Sequence, residues 1–437
     1  MEKNFRNFII IWMGQFCSIL GSGLSAFGLS VWLYYKTGAA TPFALSFLCN
    51  LLPGILFAPI AGSYADRKNR KKIMMLADSM DACIKIVMVG LLFTGVMRVW
   101  MVYPILFLSS TFSTFQSPAY SASIPMLVEE NHLSRANGLI QLSGAAQNMI
   151  SPALAGALFP IIGLKGLIIV DFGTYIIGVL SVVAIKIPQA KVVANNKGGA
   201  WLIVRDLANT IGLIRRKNGF LQVILVFSFL NFVANIVMVL VGPMILANYT
   251  SVEYGNVESI YAFSMLIGSV IATALPRIKN LYAGMFAILA FSGIGLVVAG
   301  ASPHWITVGI GMSIFFLGVP YANTLFQTGM QTSFGSESLG RIGALISALL
   351  KIASPFACIF SGPIIDYVFE PFMSSEGTLG YEVLGRYIGT GAGRGSGLMF
   401  VICGCVLSFV CIIMAIRYSK DGCAQDDDES LKMVKSS

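Results

Sequence analysis

Twelve stretches of this sequence are long and apolar enough to cross a bilayer, beginning near Phe8, Phe43, Ile73, Val99, Gly138, Gly166, Phe220, Tyr254, Leu281, Trp305, Ile342 and Gly397. A hydrocarbon core of ~30 Å takes about 20 helical residues. Without water to serve its backbone, such a stretch is stable only as a helix or inside a closed barrel. Runs of this length read as helices, so the expected class is an all-α integral membrane protein with twelve transmembrane helices. Composition points the same way, with 56 % apolar and 11 % charged residues, a balance foreign to soluble domains. Four of the five tryptophans (Trp12, Trp32, Trp100 and Trp305) stand at run ends, where an amphipathic ring anchors at the headgroups. The first run follows MEKNFRNF directly, is longer than a signal-peptide core and has no small-residue cleavage site, so it reads as a first span.

Orientation comes from the basic residues. Of the 29 Lys and Arg, 22 fall in segments assigned to the cytoplasm, 5 outside and 2 inside helices. The densest group lies between the second and third runs, where Gly62 to Lys72 reads GSYADRKNRKK and carries Arg67, Lys68, Arg70, Lys71 and Lys72. The positive-inside rule puts this segment in the cytoplasm, and twelve crossings then put both termini there. Asp66 contributes nothing to orientation, because acids count little in that rule. The pattern G-x-x-x-D-R-x-N-R-K resembles the signature loop of the major facilitator superfamily, with Gly62, Asp66, Arg67, Arg70 and Lys71 in the signature positions. The resemblance implies that these five form a latch holding cytoplasmic helix ends together in one state of a transport cycle. Asn69 stands where the family carries a second Gly, and is expected to tolerate the left-handed backbone of a tight turn.

Residues 188–219 are the one polar interruption between two sets of six runs. The expected organisation is therefore an N-terminal six-helix bundle over 1–187, a cytoplasmic linker over 188–219, a C-terminal six-helix bundle over 220–417 and a cytoplasmic tail over 418–437. Within the linker, Leu207, Ile211 and Ile214 recur at helical spacing with Arg205, Arg215 and Arg216 elsewhere, which suits an interfacial helix. Arg135 to Gly156 and Arg341 to Gly362 echo each other, each with an Arg at the start, a Ser-Pro step and a late Gly. Such an internal repeat is expected of a transporter built from two related bundles. Trp12 to Ser25, Pro118 to Pro125 followed by Leu133 and Asn137, and the glycine-rich Thr390 to Phe400 resemble the branch holding macrolide efflux proteins and the enterobactin exporter. The export motif of the fifth helix reads Ser151, Pro152, Ala153, Leu154, Ala155, Gly156, with two of its glycines replaced.

Polar side chains inside a bilayer are costly unless they face a cavity or a partner, so they mark the route. The first run carries Gln15, Ser18, Ser22 and Ser25 at spacings of 3, 4 and 3, and the fifth carries Gln141, Gly144, Asn148 and Ser151 at the same spacings. Because the family resemblance implies that helices one, four, seven and ten line the centre, Gln15, Asn231, Asn235, Asn323 and Gln327 are candidate cavity residues. Lys351 joins them, lying ten residues past Arg341 with no acid within one turn on its own helix. A lysine roughly 15 Å along a span must meet an anion, lose its proton or reach water. Asp81 and Lys85, four apart with the acid first, are spaced for an ion pair on one helix face. With Asp78, expected to serve the basic loop, and Asp171, expected to support packing as its counterpart does in the family, they are the candidate coupling residues.

Other chemistry has little to work with. Two histidines, His132 and His304, both in expected loops, give no basis for a zinc site or a histidine general base. Eight cysteines without repeated pair spacing read as small apolar residues. Neither a GxxxxGK[ST] motif nor a soluble module is present in the sequence. The expectation is thus a plasma-membrane secondary transporter and not an enzyme, needing no cofactor or metal and driven by the proton gradient. Its partners would be a small-molecule substrate and the lipid bilayer, with no nucleic acid, and it would act as a monomer. The leading substrate class is amphipathic organic molecules, macrolide-like drugs included, moved outward by alternating access. The alternative is a transporter of an anionic metabolite, a siderophore or a lysolipid, in either direction.

Overall fold

The computed structural model describes residues 5–185, 219–274, 280–334, 336–374 and 378–436. They are helical, and among them there is no strand. The long elements are α1 (Phe5–Thr37), α2 (Ala40–Leu56), α3 (Ala58–Arg67), α4 (Arg70–Phe93), α5 (Val99–Leu127) and α6 (Leu133–Ala184). After residues 186–218 come α7 (Phe220–Leu246), α8 (Ser251–Ala274), α9 (Leu281–Ala301), α10 (Trp305–Ser333), α11 (Ser336–Ile364) and α12 (Arg394–Ser436). The expected interfacial helix of the linker lies outside the described residues. Eight helices are long and apolar enough to cross a membrane, and a ninth span results if the bent pair α2 and α3 counts as one.

The difference from the expected twelve has physical causes. At ~1.5 Å per residue, a helix of the length of α6 would reach more than twice across the hydrocarbon core. It is broken at Gly163, whose φ of 62° and ψ of −175° only glycine adopts readily, so its 52 residues form two limbs. α4 and α5 do not register as spans by composition, because α4 carries Asp78, Asp81 and Lys85 within one window and α5 a run of Ser, Thr and Gln. The second run, expected as one helix, is bent by 49° at Phe57. Pro53 lies inside α2 and Pro59 in the first turn of α3. Proline lacks the N–H that a continuous helix would use and collides with the carbonyl four residues back.

The signature segment is less of a loop than expected. Gly62 to Arg67 complete α3 and Arg70 opens α4, leaving Lys68 and Asn69 as the break. Asn69 has φ −65° and not a left-handed backbone, a correction to the turn expected there. Its side chain instead accepts a hydrogen bond from the Lys72 N–H at 3.2 Å, capping α4. Arg70 Nη1 donates to Ala122 O of α5 at 2.6 Å, and Lys71 Nζ donates to Val183 O and Ile185 O at 3.0 and 2.8 Å. Lys71 therefore satisfies carbonyls at the C-terminus of α6, and Arg70 ties α4 to the last part of α5.

Two compact units emerge from the packing. One contains α1 to α6 with Met238–Ser259 and Cys358–Asp366; the other contains the start of α7, Ile260–Ala357 and Tyr367 onward. In the first unit α1 runs antiparallel to the second limb of α6. Gly14 faces Ser181, Gly21 faces Thr174 and Asp171, and Gly28 faces Leu167, so the glycines recur every seven residues along the seam. Small residues let two membrane helices approach where no hydrophobic force drives them together. The same unit holds a cap of unusual origin. α2 has no capping side chain of its own, and its Ala40 and Thr41 N–H groups donate to the Asp366 carboxylate at 2.8 and 2.7 Å.

In the second unit the glycine-rich segment before α12 is pinned. Glu370 accepts from Gly393 N and Gly395 N at 2.5 and 3.0 Å, and Arg394, 2 % exposed, donates to Gly300 O at 2.5 Å. Arg394, counted among the five basic residues expected outside, is instead buried against α9.

The seam predicts a sharp difference between glycines. A β-carbon at Gly21 would stand 3.1 Å from Asp171 Cα, while one at Gly173 meets nothing within 4 Å. Gly21→Val should cost about 1–3 kcal/mol, seen as a lower melting temperature in detergent, and Gly173→Ala should melt as the wild type does. Equal melting of all three proteins would contradict the seam.

Candidate functional site

A cavity of about 510 Å³ lies inside the first unit, bordered by α1, α2, α4, α5 and α6. The polar stripe of α1 faces it along its length, with Gln15, Ser18, Ser22 and Ser25 all in the wall. From α4 come Asp78, Asp81 and Lys85, which the helical repeat places on one face.

Lys85 is the centre of the charge cluster. Its Nζ lies 3.1 Å from Asp81 Oδ2, one turn back on α4, and 2.9 Å from Asp171 Oδ1 on α6. It also donates to Ser22 Oγ at 3.1 Å and stands 5.6 Å from the centre of the Tyr175 ring. Asp171 is fully buried and takes two further hydrogen bonds from α1, Ser22 Oγ to Oδ1 at 3.2 Å and Ser25 Oγ to Oδ2 at 2.5 Å. Asp81 accepts from Ser109 Oγ of α5. Three helices thus meet at one ammonium, and α5 joins them through Asp81. A charge so far from water is retained only where opposite charge and hydrogen bonds replace its hydration.

Asp78 has different surroundings. It is 8 % exposed, and its Oδ1 accepts from Gln116 Nε2 of α5 at 2.6 Å. The same nitrogen donates to Gln15 Oε1 at 3.2 Å. Among the described residues no Lys or Arg stands at ion-pair distance from Asp78, because Lys85 is held by the other two acids. The expectation that Asp78 serves the basic loop is corrected: it faces the cavity. Asp171, expected as packing support, is the second counter-ion of Lys85.

The remaining candidates lie elsewhere. Asn231 Nδ2 donates to Phe227 O at 2.9 Å, and Asn235 Nδ2 donates to Asn231 O at 2.7 Å and to Ser354 Oγ of α11 at 2.9 Å. Asn323 and Gln327 on α10 and Lys351 on α11 are exposed. None of these five borders the cavity of the first unit, and Lys351 is not a buried amine as expected. Of the signature residues, Gly62 has open space beside it, Arg67 is exposed, and the side chain of Asp66 lies outside the described residues.

Gln116 and Ser109 were not among the candidates. Ser109, Ser113, Gln116 and Tyr120 all border the cavity and recur at spacings of 4, 3 and 4, one helical stripe on α5. That stripe was readable, but Thr and Ser on the other faces of the run dilute it.

Removing Lys85 isolates two carboxylates. Lys85→Met should destabilise the protein by about 3–5 kcal/mol, the cost of breaking a buried pair, and show as low membrane abundance. Adding Asp171→Asn to that variant should recover much of the loss; if Lys85→Met were already as abundant as the wild type, the cluster would not hold the unit together.

Residues 11–358 match the family model of the Major Facilitator Superfamily. Macrolide efflux protein A of Streptococcus pyogenes is 28 % identical over 376 residues, 84 % of this chain and 92 % of that protein. Macrolide efflux protein A of Enterococcus faecalis is 27 % identical over 323 residues, 73 % and 99 % of the two chains. In three dimensions the chain is similar to a bacterial homolog of the human lysosomal transporter Spinster, solved in an inward-facing and unoccupied conformation. The TM-score is 0.67 at 14 % identity, with 96 % of this chain and 99 % of that one covered. A multi-pass, all-helical membrane protein whose family model spans most of its length, this chain belongs to the major facilitator superfamily of transporters.

Proposed function

We propose that the protein exports amphipathic organic molecules across the plasma membrane in exchange for protons, by alternating access. The observation that carries this reading is Asp78, a carboxylate in a cavity wall whose only nearby cationic group among the described residues, Lys85, is already shared by Asp81 and Asp171. A carboxylate in that position can take up and give back a proton without breaking an ion pair. Protonating Asp81 or Asp171 would instead break one of the two ion pairs of Lys85. The proton gradient would be the energy source, consistent with a sequence that has no nucleotide-binding motif.

Likeness to macrolide efflux protein A makes macrolide-like compounds the first substrates to try. With Asp78, Asp81 and Asp171 against Lys85, the cavity carries more negative than positive charge, so it repels an anionic substrate and suits one with a positive or hydrogen-donating face. In this reading residues 1–187 and 220–417 are the two bundles, 188–219 links them, and both termini lie in the cytoplasm. Gly62, Asp66, Arg67, Arg70 and Lys71 form the cytoplasmic latch, which the Arg70 and Lys71 bonds to helix ends support. The protein acts as a monomer and needs no resident cofactor.

The test is uptake of a radiolabelled macrolide into inside-out vesicles with and without an acid interior. Gradient-dependent accumulation is expected for the wild type and should be lost in Asp78→Asn, which should still bind and exchange substrate at equal pH. Accumulation that ignores the gradient, or full gradient dependence in Asp78→Asn, would refute the assignment.

A further inference from the structure

One nitrogen atom joins three helices at the edge of the cavity. Gln116 Nε2 on α5 has two N–H groups, and both are engaged: one by Asp78 Oδ1 of α4 at 2.6 Å, the other by Gln15 Oε1 of α1 at 3.2 Å. Gln15 is 5 % exposed, so its amide oxygen has little access to water and depends on that donor. The arrangement fits an ionised Asp78, which can only accept.

We propose that Gln116 is a positioning residue that reports the protonation state of Asp78 to α1 through Gln15. The proposal rests on the reading of Asp78 as the proton-exchanging group. When Asp78 takes up a proton its carboxyl gains an O–H, and within this trio the acceptors for it are amide oxygens. Turning the Gln116 amide to offer Oε1 to Asp78 carries Nε2 away from Gln15. The α1 link is then broken, and it forms again when the proton leaves. No bond other than the O–H is made or broken, and the proton comes from and returns to water on the two sides of the membrane.

The surroundings make Gln116 the one exchangeable connection. The charged and titratable groups facing Asp78 are Asp81 and Lys85 on α4 itself, Tyr120 on α5, and Asp171 and Tyr175 on α6. Lys85, Asp81 and Asp171 are fixed to one another by the ion pairs already described. From α1 the cavity wall receives only amide, hydroxyl and apolar side chains, and from α2 the Asn50 amide. Along the α6 seam α1 is packed glycine against side chain. A changed demand at Gln15 therefore acts on a helix packed along its length against α6.

The experiment measures gradient-driven macrolide uptake in inside-out vesicles across a range of pH, for the wild type, Gln116→Leu and Gln15→Leu. Loss of the Gln116 donor removes a hydrogen bond to the charged carboxylate, so the midpoint of the Gln116→Leu profile should move alkaline by about one pH unit. Gln15→Leu leaves that donor in place and should keep the wild-type midpoint while the maximal rate falls several-fold. An unchanged midpoint in Gln116→Leu overturns the proposal. If Gln116→Leu fails to accumulate in the membrane, Gln15→Leu decides, and a wild-type rate in that variant overturns it. A wild type without any pH dependence removes the proton-coupling reading itself, and is recognised before either variant is compared.

Discussion

The ammonium of Lys85, shared between Asp81 and Asp171, is the interaction on which the first unit depends. Three charges in a membrane interior are stable together and costly apart. Satisfying them requires α4, α6 and α1 to hold one arrangement, because Asp171 also takes the Ser22 and Ser25 hydroxyls of α1. Those hydroxyls reach only because α1 and α6 approach through Gly14, Gly21 and Gly28. A single methyl at Gly21 would press on the main chain of Asp171 itself. The glycines and the charges are therefore one device: close packing brings the acid within reach, and the acid makes the close packing worth its entropy.

That device sets the role of Asp78 by exclusion. Asp78 lies seven residues before Lys85 on the same face of α4, yet the lysine is taken. Asp78 is left with an amide as its near partner, and an amide can serve either protonation state by turning round. One stretch of helix thus carries an ion-paired carboxylate and one held by an amide, separated by the identity of the partner.

Much of this was legible in the sequence and some was not, for identifiable reasons. Hydropathy marked the spans and the basic loop, because both are properties of short windows. The Asp81 and Lys85 pair followed from spacing along one helix. The contact between Lys85 and Asp171 did not, since residues so distant in sequence meet only once α4 and α6 are packed. Asp366 was invisible for a related reason. Its partners are backbone N–H groups at the start of α2, and the only sign in the sequence is that Ala39 supplies no cap of its own. The bend at Phe57 was readable from Pro53 and Pro59, whereas the role of Asn69 was misread because an asparagine that suits a left-handed turn also suits a helix N-cap.

Two helices that composition does not mark as spans turn out to be the informative ones. α4 and α5 are too polar to register as spans by composition, yet α4 exposes Leu76, Met80, Ile86 and Val87 while burying Asp78 and Lys85. That is the reverse of a surface helix in water, where the polar side chains face out. In lipid the outer face must be apolar and the polar face must turn inward to a cavity or a partner. Charged and polar side chains within a chain of spans thus mark the helices that border the cavity. Periodicity then separates the two faces: on α5, Ser109, Ser113, Gln116 and Tyr120 form a single stripe that averaging over the window conceals.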